Sequence, residues 1–294
     1  MTKKKFINIA KLIFKLALSA ILVYFVFQKI DYRHVRSVFL RSNLLYIFFA
    51  LLSYAFSQVV SSWRLIGFLR SIGIELTFSF NSRLYLLGMF YNTFLPGGIG
   101  GDGYKIYLLR KKYRQPAKKI FLALFFDRLS GLWAICALAS LLVFLLPGTH
   151  AWNWLPATIF IAGTVVYYLI MRFFFTTYSG YWAVAHSKAI IVQFLQLVSV
   201  VCILRAQDFT GNFFPYLFIF LLSTVATIIP VSIGGLGIRE FVMLKSIPFL
   251  LIDGTLAVYT TLTFYLLSLV ISLPGVWFVY HSKEFRPAVK EPPG

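Results

Sequence analysis

The sequence predicts an all-α fold: a polytopic membrane helix bundle of about eight membrane segments, in which two broken or re-entrant helical hairpins form an inverted repeat. Three observations lead there. Sixty per cent of residues are hydrophobic, only 13% are charged, and mean hydropathy is +0.82, as for a chain whose solvent is lipid. Apolar runs of about twenty residues, the length that crosses a bilayer, follow one another along the chain. Finally, one Gly/Pro motif occurs twice with the same internal spacing, each time within apolar sequence.

The chain opens with Lys3, Lys4 and Lys5 and an apolar run reaching about residue 30. No small-residue cleavage site follows, so this run reads as an uncleaved first span, 10–29, rather than a signal peptide. Further spans are expected at 44–69, 120–146, 152–171, 188–204 and 255–280. Segments 79–110 and 213–250 carry the repeated motif near their middles and read as hairpins. From His281 the chain holds Pro287, Pro292 and Pro293, so 1–282 reads as one membrane domain and 283–294 as a short disordered tail.

The first motif copy is Leu95-Pro96-Gly97-Gly98-Ile99-Gly100-Gly101-Asp102-Gly103-Tyr104-Lys105, with Asn92 just before it. The second is Ile229-Pro230-Val231-Ser232-Ile233-Gly234-Gly235-Leu236-Gly237-Ile238-Arg239, followed by Glu240. Proline removes a backbone donor and glycine unwinds a helix at little cost, so each copy breaks its helix. Broken backbone at membrane depth is tolerated only in a protein interior or beside a polar cavity. A corresponding pair of such breaks points to a transporter's binding site.

Charge orients this scheme. Lys3, Lys4, Lys5, Lys11 and Lys15 place the N-terminus in the cytoplasm. Lys105, Arg110, Lys111, Lys112, Arg114, Lys118 and Lys119 form the strongest basic run, also cytoplasmic, so 79–110 enters and leaves on one side. Three spans later, 213–250 enters from the other side, and the tail with Lys283, Arg286 and Lys290 returns to the cytoplasm. One loop, 29–43, conflicts: it is basic yet assigned outside. An interfacial helix with Val35, Phe39 and Leu40 in lipid would reconcile it. The net charge of +19 fits basic loops and anionic lipid headgroups and implies no nucleic acid. Cys136 and Cys202 lie in apolar runs and read as buried inert thiols.

Only nine residues are acidic, and Asp102, Asp127 and Glu240 lie at or beside membrane depth. A charge at the bilayer centre costs roughly 2.5–3.5 kcal/mol, which makes a decorative role improbable. Either these groups line a substrate path, or Asp127 pairs with Arg128 or Arg239 and pins helices together. Lys105 and Arg239 hold the same motif position, each just past a Gly-rich break. A helix N-terminus, free amides and a cation together favour an anion such as phosphate. Against that stand a Lys105 that merely snorkels to the interface and an Arg239 paired with Glu240 or Asp127. Ser232, Asn92 and Thr93 supply polar contacts or helix-packing hydrogen bonds. Trp63-Arg64 and Arg70 read as an interfacial anchor, with Arg64 alternatively reaching into the bundle. Gly98-x-Gly100-x-x-Gly103 matches a dinucleotide fingerprint only formally, since no strand precedes it. The four histidines show no metal-ligand spacing, and no cofactor or metal is expected.

Asn92-Thr93-Phe94-Leu95-Pro96-Gly97-Gly98 with Gly101-Asp102, then Asp127-Arg128-x-x-Gly131, then Pro230-x-Ser232-x-Gly234-Gly235-Leu236-Gly237-Ile238-Arg239-Glu240 resemble the lysylphosphatidylglycerol synthase transmembrane region. This is a flippase-like membrane domain family, and the resemblance covers about residues 10–282. It implies a bundle that moves lipids between leaflets, in some members an aminoacylated phosphatidylglycerol made by an attached synthase domain. The sequence carries no such domain, so synthesis by this chain is not expected. Stand-alone relatives are associated with other lipids, polyprenyl-linked and hopanoid ones included, so the resemblance leaves the cargo open.

The expectation is therefore a lipid translocase in the cytoplasmic membrane of a prokaryote, with both termini cytoplasmic. Its partners would be membrane lipids, an anionic headgroup first, and a separate lipid-modifying enzyme. Two alternatives stand beside it: a non-catalytic member of a lipid-synthesis complex, and a membrane transferase acting on a lipid-linked substrate.

Overall fold

The computed structural model describes residues 40–94, 100–146, 154–227, 238–250, 252–281 and 285, without the side chains of Ile238, Glu240 and Leu244. Among the described residues there are eleven helices and no strand. Five are long and apolar enough to cross a membrane: α1 (Leu44–Arg70), α4 (Ala117–Val143), α5 (Trp154–Phe174), α7 (Trp182–Arg205) and α10 (Gly254–Ser272). Two shorter pairs complete the bundle. The first is α2 (Phe78–Phe94) with α3 (Gly100–Tyr113), the second α8 (Phe214–Ala226) with α9 (Ile238–Leu250). Short helices α6 (Thr176–Ser179) and α11 (Gly275–Tyr280) are connectors. The expected first span and most of the loop 29–43 lie outside the described residues, as does nearly all of the tail.

Local sequence explains where the helices begin and end. Asn43 caps α1 by accepting from the Leu45 amide at 3.0 Å, and Asp253 caps α10 by accepting from the Leu256 amide at 2.9 Å. Arg114, in left-handed conformation at φ 55°, turns the chain into Pro116, the N-cap of α4. Pro274 separates α10 from α11, so the span expected at 255–280 is divided. The α7 helix starts at Trp182, ahead of the expected 188. Its first turns hold His186 and Lys188, whose polarity disguised helix as loop. Here the Lys188 ammonium lies 3.6 Å from the Trp63 ring centroid, and His186 stacks on Trp182.

Each motif copy ends in the second helix of a pair whose members pack on one another: Gly100 to Lys105 open α3, which packs on α2, and Ile238 and Arg239 open α9, which packs on α8. The first pair approaches closely because of two glycines. A Cβ on Gly101 would collide with the Gly88 carbonyl and lie 2.8 Å from Asn92 Oδ1, and a Cβ on Gly88 would collide with the Lys105 stem.

Two apolar cores result. One gathers Leu84, Leu87 and Phe90 of α2 with Leu109 of α3, Leu65 and Phe68 of α1, and Ile120 and Phe126 of α4. The other gathers Ile47, Ala50 and Tyr54 of α1 with Ile135 of α4, Val200 and Ile203 of α7, Phe220 of α8 and Phe264 of α10. Helices α1 and α4 run through both. The α1–α7 contact is the most extensive in the structure.

Candidate functional site

Where α1 and α4 pass from one core to the other, their sequences turn polar. Tyr54, Gln58, Ser61 and Arg64 recur at intervals of three and four along α1, which puts them on one helix face. On α4 the polar residues at this level are Asp127, Arg128 and Ser130. A cavity of about 340 Å³ opens at this level. It is lined by Gln58, Arg64, Tyr85, Asn92, Asp102, Lys105, Asp127, Arg128, Gln193, Gln196, Thr224, Thr227, Arg239 and their apolar neighbours. Both helix pairs contribute: α2 and α3 through Asn92, Asp102 and Lys105, α8 and α9 through Thr224 and Arg239.

The centre of the wall is an ion pair. Arg64 Nε donates to Asp127 Oδ1 at 2.8 Å and Nη2 donates to Oδ2 at 3.3 Å. Arg64 is 5% exposed and Asp127 7%, so both charges are taken out of solvent and depend on each other. Ser61 accepts from Arg64 Nη2 at 3.4 Å and from the Tyr85 hydroxyl at 2.8 Å, which fixes the guanidinium plane. Arg64 Nη1 is buried without a hydrogen-bond partner. A second cluster sits beside it. Lys105 Nζ donates to Asp102 Oδ1 at 3.3 Å and lies 4.6 Å from the Tyr85 ring centroid, and Arg128 Nε donates to Asp102 Oδ2. On the opposite wall Arg239 Nη1 donates to Thr224 Oγ1 at 3.4 Å. Its guanidinium carbon is 5.4 Å from the ring centroids of both Phe220 and Phe264.

These positions revise several expectations. Asp127 pairs with Arg64, not with Arg128 or Arg239, because the α1–α4 packing brings a residue 63 positions earlier against it. Arg128 goes to Asp102 instead. Lys105 does not snorkel: it is buried, and the missing side chain of Gly88 makes room for its stem. Trp63 is the outward-facing residue of its pair, 54% exposed, while Arg64 turns inward. Cys136 is exposed, and Cys202 is half-buried, packed against the second core. The Gly101 amide is not open to an anion, since it donates to Asn92 Oδ1 at 2.8 Å.

The structure therefore brings Asn92, Asp102, Lys105, Asp127, Arg128 and Arg239 to one cavity and places Gly101 in the helix contact beneath it. Pro96, Gly97, Gly98, Pro230, Ser232, Gly234, Gly235 and Gly237 lie outside the described residues, as does the side chain of Glu240. Sequence reasoning did not select Tyr54, Tyr85, Gln58, Gln193, Gln196 or Thr224, and for Arg64 it is the second reading, a side chain reaching into the bundle, that the structure shows. Their available signal was helical spacing: a polar stripe on α1, and two glutamines one turn apart within the apolar run that follows Lys188 on α7.

Electrostatically the lining is unbalanced. Among the described residues of the lining, Arg64, Lys105, Arg128 and Arg239 stand against Asp102 and Asp127, two more positive than negative charges. Counting Glu240 as well would still leave one. Among the described residues no three His, Cys, Asp or Glu side chains come together as metal ligands.

The family model for the lysylphosphatidylglycerol synthase TM region matches residues 12–275, a stretch that contains every residue of the cavity. The chain belongs to that family. With five helices apolar and long enough to cross a bilayer, it is an integral membrane protein of a family related to lipid synthesis or translocation. No curated protein and no solved structure matched the chain.

Proposed function

We propose that this protein is a lipid translocase that carries an anionic, phosphate-bearing lipid between the leaflets of a prokaryotic cytoplasmic membrane. The observation that carries this reading is the cation excess in a cavity shared by two helix pairs. A phosphate accepts charge-assisted hydrogen bonds from several cations at once, which suits a lining in which arginines and a lysine converge. Arg64, Lys105 and Arg239 would hold the phosphate, with Asp102 and Asp127 fixing two of those cations in place while the site is empty.

In this reading α2/α3 and α8/α9 are the two halves of an inverted repeat within about eight membrane segments, with both termini cytoplasmic. Rocking one half against the other would open the cavity to each leaflet in turn. The chain itself would perform no covalent chemistry. A separate enzyme would make or use the lipid it moves.

The test uses the purified protein in liposomes with labelled anionic, aminoacylated and neutral lipids in one leaflet. Movement should depend on headgroup and fall at least tenfold in Arg239→Gln, with folding checked by thermal unfolding and gel filtration. No movement of any lipid under several ion gradients, from well-folded protein, would defeat the proposal.

A further inference from the structure

A groove of about 650 Å³ runs along the outside of the bundle between α4, α5 and α8. Leu132 and Cys136 of α4, Ile159 and Gly163 of α5, and Phe218 and Leu222 of α8 lie along it. It stays open because α5 barely engages the bundle: Met171 is its only buried residue. A Cβ on Gly163 would meet nothing within 4 Å, so no protein atom fills the groove at that point.

The few polar side chains of the groove offer an occupant little. Thr164 Oγ1 accepts from Trp133 Nε1 at 2.9 Å and donates to the Phe160 carbonyl at 2.8 Å. Ser140 Oγ donates to the Pro156 carbonyl at 3.5 Å, and the Tyr167 hydroxyl is buried. A polar group placed here would give up its hydrogen bonds to water without replacing them. The groove therefore suits a hydrocarbon chain.

Its position says whose chain. Arg128, Leu132, Cys136, Ala139 and Val143 recur at three- and four-residue spacing on α4, one continuous stripe. Arg128 lies in the wall of the polar cavity and the other four in the groove, so the two sites meet within a turn of the guanidinium. The Arg128 side chain keeps 46% exposure although it pairs with Asp102. A helix packed over the groove would press apolar surface against this cation, whereas a lipid would bring an anion to it. From Leu132 the stripe runs towards the C-terminal end of α4, away from Lys118 and Lys119.

We infer that the groove seats one hydrocarbon chain of a lipid whose headgroup occupies the polar cavity, the head lying towards the basic end of α4 and the chain end near Val143. The inference rests on the anionic-lipid reading above. It adds where the rest of that lipid lies and which way it points.

The experiment uses the full chain in lipid nanodiscs with phosphatidylglycerol carrying a diazirine in one acyl chain, followed by irradiation and peptide mapping. A diazirine near the carbonyl should label Leu132, and one at the chain end should label Val143 and Phe218. Bulk lipid of the leaflet around the groove points the other way and would give the reverse order. Zwitterionic phosphatidylcholine with the same chains should label the groove no more than the outer face of α5, such as Ile161 at 62% exposure. Arg128→Gln should lower the groove label from phosphatidylglycerol roughly tenfold, the worth of one charge-assisted hydrogen bond, and leave the Ile161 label unchanged. Gly163→Phe should block the groove without loss of thermal stability, because the space beside it is open, and Ile161→Phe should change nothing.

The reverse order of labels, or equal groove labelling by the two lipids, would overturn the inference; both are read on the wild type, so neither depends on a variant folding. A groove label that survives Arg128→Gln and Gly163→Phe would overturn it too. So would a groove that no lipid labels, as when a second copy of the chain covers it. Ordered labelling without movement of lipid between leaflets would defeat the translocase and leave the chain site standing. Movement without any groove label would do the opposite.

Discussion

Asp127 and Arg64 show what a single buried pair demands of its surroundings. Both charges are desolvated, so each is tolerable only while the other is present. Asp127→Ala should destabilise the protein by about 3–5 kcal/mol, because Arg64 is left buried and uncompensated. The double replacement Arg64→Met/Asp127→Leu should recover most of that loss. Thermal unfolding of the single and double variants would measure the coupling, and additive losses would mean that the pair does not act as a unit. Half of this was legible in the sequence. An aspartate interrupting an apolar run announces that it must be paired, but its partner lies 63 residues away and looked like one of several interfacial arginines. Choosing among Arg64, Arg128 and Arg239 needs the packing of α1 against α4, which no local pattern encodes.

At the scale of elements, the α2/α3 pair depends on close backbone approach at one place and not at another. Gly101 has the Gly88 carbonyl and Asn92 against it, whereas a Cβ on Gly103 would meet nothing within 4 Å. Gly101→Ala should therefore force the helices apart and lower the melting temperature. Gly103→Ala should leave the melting temperature unchanged or raise it, by up to the equivalent of the roughly 1 kcal/mol of stability that separates glycine from alanine in a helix. Comparing their unfolding curves checks the assignment, and similar losses in both would refute it. The two pairs themselves were visible early, because a Pro/Gly interruption at the middle of an apolar segment leaves few alternatives to two half-length helices. Spacing alone did not say which glycines serve contact and which serve the turn. Helix boundaries were less legible where tertiary partners mask polarity, as Trp63 does for Lys188 at the start of α7. The reason for the break after α10 was present in the sequence as Pro274, but a continuous apolar run hid it.

For the whole molecule, the arrangement is two apolar cores joined by the shared helices α1 and α4, with the polar cavity at the level of the junction. An anionic lipid bound there would contact both sides and should stabilise the fold as a unit. Saturating phosphatidylglycerol, at about a hundred times its dissociation constant, would add about 2.7 kcal/mol. The rise in melting temperature should be much reduced in Lys105→Gln/Arg239→Gln, and an equal rise in that variant would show that the lipid acts elsewhere. Membrane class and helix pairing were legible from hydropathy and from the repeat. The gathering of Lys105 and Arg239 into one cavity was suggested only by their matching motif positions, since sequence does not say how two distant hairpins face each other.

The contacts of Asp102 have a consequence for timing. Lys105 and Arg128 both already hold a carboxylate. Under the proposed function, a phosphate arriving at Lys105 would replace one oxyanion by another, and Asp102 would take the ammonium back when the phosphate left. Arrival and departure would then be exchanges between nearly equivalent states. Such a site would sacrifice tightness for rapid turnover, the compromise expected of a carrier rather than a receptor.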